Sequence, residues 1–291
     1  MRTLWIVVAL TLAGVGALAA PRQVDEGKLN YAAMNKLGWK LSCQAWTFRE
    51  MTLFETIDTL HRLGIKYIEM FPGQRVSPQD STGFDQNASP ELIQAVLQKC
   101  KSAGVTPVSF GVVGIGNDEA AARKLFEFAK KLGLLNITAE PTEDAIPMLD
   151  RLCNEYKINI AIHNHPQPSH YWNPDTVLKV CQGASHRIGA CADTGHWYRS
   201  GLVPVECLKK LRGRVIELHF KDLSANKEDV PWGTGVCDFK GMLDELKRQG
   251  FRGVFSIEYE SGSGQELYNN VAKCCKAFSD AVTELAAGHM L

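Results

Sequence analysis

From residue 40 onward, short apolar runs alternate with amphipathic stretches at intervals of about thirty residues, the repeat expected of successive strand-and-helix units. The runs that read as strands begin near Lys40, Lys66, Thr106, Leu134, Ile158, Ile188, Val215 and Val254. Ile160 and Ile162, then Ile188, Ala190 and Ala192, are typical of parallel strands covered on both faces. The stretches between carry helix punctuation. Ser89-Pro90-Glu91 places a capping residue before a proline at the first helical position, and Asn173-Pro174 repeats the device. Asp118 can cap a run over residues 119–132 that closes on Gly133, and within it Ala122, Leu125, Phe126, Ala129 and Leu132 recur at helical spacing. No linker, charge block or low-complexity segment divides the chain. The pattern predicts one (β/α)8 barrel over residues 40–291, with residues 20–39 as an N-terminal extension whose segment 23–38 packs on the outside.

The first residues break this pattern. Arg2, an apolar stretch over residues 4–15 and the small-residue site Ala17-Leu18-Ala19 have the form of a signal peptide cleaved after Ala19. No second run of membrane-spanning length follows, so the expectation is an exported protein, periplasmic or secreted, without a stable membrane span after leader removal. Export ordinarily suggests disulfides, yet the nine cysteines lack framework spacing and an odd number leaves one over within a monomer. Most fall on apolar faces, where a thiol acts as a small buried hydrophobe. No Cys-x-x-Cys pair begins a cysteine zinc site. With 32 basic and 32 acidic side chains the formal charge is zero, which disfavours a nucleic-acid partner. Self-association into a homo-oligomer is left open.

A parallel barrel gathers the C-terminal ends of its strands at one mouth, so the residues ending those runs can meet there. Four endings carry metal-ligand chemistry: Glu140, Asp193, His219 and Glu258. Such a mixed carboxylate and imidazole set suits one divalent ion, Mn²⁺ before Mg²⁺ or Zn²⁺, because hard oxygen donors predominate. In Ile162-His163-Asn164-His165, alternation puts His163 and His165 on one face, aimed at the mouth, with Asn164 turned away. Either histidine can serve as base or substrate binder. His196 follows Asp193 by three residues. Lys221 shares a face with His219, where it can hold a substrate oxygen or instead pair with Asp222 or Glu260. Glu69 ends the second strand and is assigned to a sugar hydroxyl. Trp46 and Trp232, with Phe48, Trp172 and Trp197, fall on mouth loops where a ring can stack on a sugar.

Asp193-Thr194-Gly195-His196, His219-Phe220-Lys221-Asp222, Ser256-Ile257-Glu258 and the loop from Pro231 through Trp232, Gly233, Thr234 and Gly235 to Phe239 resemble, in order and spacing, the xylose isomerase-like TIM-barrel family of sugar phosphate isomerases and epimerases. The resemblance spans essentially residues 40–286. It implies a (β/α)8 barrel with one divalent metal and gives the ligand role to Asp193, His219 and Glu258. Ketose epimerases of that family usually end the fifth strand in a metal-binding, proton-abstracting glutamate, where this chain has His163. Glu140, one strand earlier, then becomes the fourth ligand, with a catalytic role shared among Glu140, His163 and Glu258. The histidine-rich ending looks more like inosose dehydratase and its relatives. The expected activity is a sugar isomerase or epimerase using an enediolate, with elimination from a keto-sugar or 3-keto-glycoside as the alternative. The nuclease branch of the superfamily needs further histidines, and here the second strand ends in Glu69 and the third in Phe110-Gly111.

Overall fold

The computed structural model describes residues 29–291, so the leader read in residues 1–19 lies outside the described residues. Eight parallel strands close into a barrel: β1 Trp39–Gln44, β2 Tyr67–Met70, β3 Thr106–Ile115, β4 Asn136–Pro141, β5 Asn159–His163, β6 Ile188–Asp193, β7 Val215–Phe220 and β8 Gly253–Ile257. Each strand pairs with its neighbour in sequence, and β8 closes on β1 through Trp39 opposite Gly253 to Cys43 opposite Ile257. The (β/α)8 barrel expected from the alternation is therefore the observed architecture. Where the sequence places an extended segment before it, residues 31–37 instead form a short helix, α1 (Tyr31–Leu37).

The connecting helices begin and end where their punctuation requires. They are α2 (Leu53–Arg62), α3 (Pro90–Ala103), α4 (Glu119–Leu132), α5 (Ile146–Tyr156), α6 (Pro174–Val180), α7 (Thr194–Arg199), α8 (Pro204–Lys210), α9 (Phe239–Arg248) and α10 (Gly264–Ala287). Ser89 accepts a hydrogen bond from the Leu92 N–H at the start of α3, and Asp118 accepts from the N–H groups of Ala120 and Ala121 at the start of α4. Asn30 caps α1 from Ala33 and also donates its side-chain N–H to Thr283 of α10, which fixes α1 against the last helix of the ring. Between sheet and helices the core is aromatic on one side: Phe255 packs against Trp39, Phe220, Phe251 and Phe278 at centroid distances of 4.8–5.6 Å. All nine cysteines are buried, in line with their apolar settings in the sequence. No helix among the described residues is long and apolar enough to cross a membrane.

The barrel interior is unusual in holding an acid below the mouth. Glu217 on β7 is fully buried and accepts hydrogen bonds from Ser109 (2.6 Å), Asn136 (2.9 Å) and Ser256 (3.1 Å), which reach it from β3, β4 and β8. Burial, with the Glu69 carboxylate nearby, pushes the Glu217 carboxyl up to about 8. The folded value lies above the unfolded one, so the associated stability is present at acid pH and is lost as pH rises from the ordinary carboxyl range through about 8. Glu217→Gln, which mimics the protonated acid, is expected to unfold at higher denaturant than the parent at about pH 9 and nearly together with it at about pH 4. Parallel pH dependence of the two proteins would show that Glu217 does not titrate across this range.

Candidate metal centre

The C-terminal ends of β5 to β8 bring one compact cluster together. His163 ends β5, Asp193 ends β6, His219 stands one residue before the end of β7, and Glu258 follows β8. All four are buried, and one donor atom from each lies within 4.8 Å of the others. Asp193 has two duties. One carboxylate oxygen caps α7 by accepting the His196 N–H at 2.7 Å, and the other meets Lys221 at 2.7 Å. Gly195 is needed in the turn that follows, because a Cβ there would stand 2.8 Å from the Lys221 side chain.

The geometry rearranges the roles read from the sequence. Glu140, expected as the fourth ligand, is not in the compact set; His163 takes that position. Glu140 instead forms a second group with His163 and His165. Its carboxylate lies 2.5 Å from His165 Nδ1 and 3.5 Å from His163 Nδ1. Burial works against ionisation of Glu140, and the two imidazoles outweigh it, holding the carboxyl well below the usual range. His165 is itself raised by Glu140. His163 and His165 do share a face, with ring centroids 4.5 Å apart. Asn164 turns away and pins the β5 ending to β6 through both polar groups of Asp193's backbone, at 2.8 and 2.9 Å.

Glu69 does not reach a substrate. It is fully buried beneath the cluster, where His219 Nε2 approaches both of its oxygens at 2.9 and 3.0 Å and Thr138 donates to it at 2.7 Å. Trp232 is likewise corrected: at 3% exposure it packs among Phe220, Phe239 and Phe278. Phe48 and Trp197 are buried as well, whereas Trp46 is 41% exposed at the rim, edge-on to Phe71 and with Arg49 over its ring. Lys221 is enclosed by Asp193, Glu258 and Glu260 at 2.7, 2.6 and 3.1 Å. Burial opposes its charge and these carboxylates outweigh it. Asp222 is not its partner; its carboxylate accepts the N–H groups of Gly233, Gly235 and Cys237 and so shapes the loop before α9.

Arg199 and Asp229 were not singled out in the sequence, and Glu260 was named there only as a partner for Lys221, which it is at 3.1 Å. Arg199 donates to Asp229 at 2.9 Å and to Glu260 at 3.0 Å, which joins α7 to the β7 and β8 endings. Its spacing of three from His196 on a helix is the signal that was available. Burial, against the pull of Asp193 and with Lys221 adding to it, pushes His196 down to about 2, so its imidazole is neutral.

The donor set fits a divalent metal. His219 Nδ1 and both ring nitrogens of His163 are buried without a hydrogen-bond partner among the described residues, although they stand beside carboxylates. With Nε2 committed to Glu69, His219 turns Nδ1 to the cluster, 3.2 Å from Glu258, where it would hold the ion. A carboxylate behind an imidazole is the usual support of a metal-binding histidine.

Residues 57–278 match the xylose isomerase-like TIM barrel family. The chain belongs to that family. It is 36% identical to a putative uncharacterized protein from Parabacteroides distasonis, whose crystal structure superposes with a TM-score of 0.67 over 82% of this chain and 99% of that one. The probable 3-DHS dehydratase AsbF from Bacillus anthracis shares the fold at 14% identity, with a TM-score of 0.64 over 82% and 98% of the two chains. Among curated relatives, the rhizopine catabolism protein MocC of Rhizobium meliloti is 25% identical over 129 residues, 38% of this chain and 39% of that protein. The L-ribulose-5-phosphate 3-epimerase UlaE of Shigella flexneri is 33% identical over 64 residues, 22% of each. The chain thus matches well under half the length of the curated relatives.

Glu69→Gln keeps the shape of the clamp and removes its charge. The expected result is a folded protein whose Mn²⁺ affinity in calorimetric titration falls about 10- to 100-fold. Unchanged affinity would mean that Glu69 does not orient His219 as a ligand.

Proposed function

We propose that this family member is a divalent-metal-dependent sugar isomerase or epimerase acting on a free sugar or keto-sugar by α-proton abstraction and an enediolate. The observation that carries the reading is the buried set of His163, Asp193, His219 and Glu258 at the mouth, with the Glu140–His165 pair beside it. Mn²⁺ is the metal we favour, since two carboxylates and two imidazoles suit it better than Mg²⁺. When bound, such an ion supplies Lewis-acid polarisation of a carbonyl oxygen.

The protein's own groups then divide the work. Asp193, His219, His163 and Glu258 would hold the ion. The carboxylate of Glu140 or Glu258, or a neighbouring imidazole, removes the proton beside the carbonyl, a contribution of about 10²- to 10⁴-fold. His196 meets substrate oxygen and Trp46 offers an apolar face to the ring, whereas Lys221, expected from the sequence to hold a substrate oxygen, is spent on three carboxylates. The buried cations at the mouth are already matched, and Arg49 at the rim donates to the carbonyls of Trp46 and Glu260. Lys221 is matched by three carboxylates and Arg199 by two. This favours an unphosphorylated substrate and agrees with the export expected from residues 1–19.

The second reading is a lyase. A carboxylate-imidazole pair at the rim, with His165 half exposed, is placed to give a proton to a leaving group. That observation favours elimination from a 3-keto-glycoside.

Proton NMR in D₂O with the Mn²⁺-loaded protein and a panel of free ketoses and 3-keto-glycosides separates the two. Deuterium entering an α-carbon of an intact sugar supports the isomerase or epimerase; release of an aglycone with an unsaturated sugar replaces it with the lyase. Absence of both reactions across the panel with metal bound would count against either. His163→Ala and Glu258→Ala are each expected to abolish turnover while circular dichroism retains the parent spectrum, because both side chains face the mouth. Unfolding of both variants would assign them to stability instead.

A further inference from the structure

Arg199 lies outside the set of residues that meet the substrate in the reading above, yet its guanidinium is held more firmly than any salt bridge requires. Its Nε donates to the Lys227 carbonyl at 3.3 Å, one Nη to Asp229 at 2.9 Å, and the other Nη both to Glu260 at 3.0 Å and to His196 Nδ1 at 3.1 Å. Lys227 returns a bond from its ammonium to the Arg199 carbonyl at 3.0 Å. The fork is thereby held on all three of its nitrogens, and in this orientation an N–H points at an imidazole nitrogen.

A guanidinium has donors and no acceptor. The His196 nitrogen that faces it must therefore be the acceptor, and the ring proton must sit on the other nitrogen. That nitrogen, Nε2, lies 3.5 Å from Asp193 Oδ2, too far for a good hydrogen bond, and that oxygen already accepts from Lys221 at 2.7 Å. We propose that Arg199 is a positioning residue that holds His196 as its Nε2–H tautomer, so that an N–H donor faces substrate oxygen beside the metal ligands. The substrate half of this statement rests on the sugar isomerase reading; the tautomer half does not. Without the guanidinium, Nδ1 loses its one donor among the described residues, and the ring is free to carry its proton there and present a lone pair to the substrate.

The same arrangement accounts for Asp229 and Glu260. Neither touches the cluster of four. Each fixes one arm of the guanidinium, and Ser261 ties the Asp229 backbone N–H to the β8 ending at 3.2 Å. The donor direction at His196 is thus set by three strand endings at once.

Long-range ¹H–¹⁵N correlation of the imidazoles tests this in full-length protein labelled at histidine, stripped of metal and without substrate, with His196→Gln to assign the resonances. In the parent, His196 is expected to show an unprotonated Nδ1 and a protonated Nε2. In Arg199→Met combined with Asp229→Asn, which avoids leaving a buried carboxylate unpaired, the pattern is expected to shift to Nδ1–H or to a mixture. A protonated Nδ1 in the parent overturns the proposal without reference to any variant, and so does an unchanged pattern in the double variant. Because the readout needs neither turnover nor metal, its failure is distinct from failure of the isomerase reading.

Discussion

An ionised group that leaves water must find a partner, and the mouth of this barrel is organised by that requirement. Asp193, Glu258, Lys221 and Glu69 are all buried, and each sits against an opposite charge or an imidazole. Burial opposes the charge on Asp193, and its neighbours, among them the Lys221 ammonium at 2.7 Å, outweigh it, holding the carboxyl far below its ordinary range. Glu258 is likewise held low by Lys221 and His219 against the cost of burial. Removing one partner would leave another charge stranded. The arrangement is therefore collective, and it forces strand endings that are distant in sequence into fixed relative positions.

Secondary structure and site share the same atoms. Asp193 starts α7 as its capping residue and, through its second oxygen, belongs to the cluster. Asn164 shows the same economy, since it satisfies two backbone groups of Asp193 and thereby sets where His163 stands relative to the β6 ending. Asp222 gathers three backbone N–H groups and so fixes the path of the following loop. Local folding and site geometry are hard to separate here because the hydrogen bonds that end each strand also aim its last side chain.

The barrel was legible in the sequence because its signal is periodic. Strand starts recur at regular intervals, and Ser89, Asp118 and Gly133 cap helices as their residue types dictate. The residues at the mouth were legible in kind, since a strand ending in a polar residue has few reasons to do so inside an apolar pattern. Depth was not legible. Glu69 pairs in register with Gln44 at the end of β1 but lies opposite Ser109 in the middle of β3, a stagger that lowers it beneath the ligands. Trp232 failed for another reason: an aromatic on a loop gains as much from covering Phe220 and Phe239 as from facing a ligand, and only the loop's path decides. Glu140 stands outside the set of four and His163 inside it, a one-strand difference in the ring that cannot be read from spacing alone.

The histidines at the mouth do different work because their neighbours differ. His219 has a carboxylate behind Nε2, which turns Nδ1 toward the cluster. His196 has a guanidinium behind Nδ1, which leaves Nε2 as a donor. His165 has Glu140 behind Nδ1 and half of its ring in solvent, the setting of a group that exchanges protons. His163 stands between Glu140 and Asp193 at 3.5 and 3.6 Å with both nitrogens unmatched, and so needs a further partner. A side chain with one intrinsic chemistry is thus given a different setting by the charge placed behind it. In a barrel that choice is made from the neighbouring strand, one position around the ring.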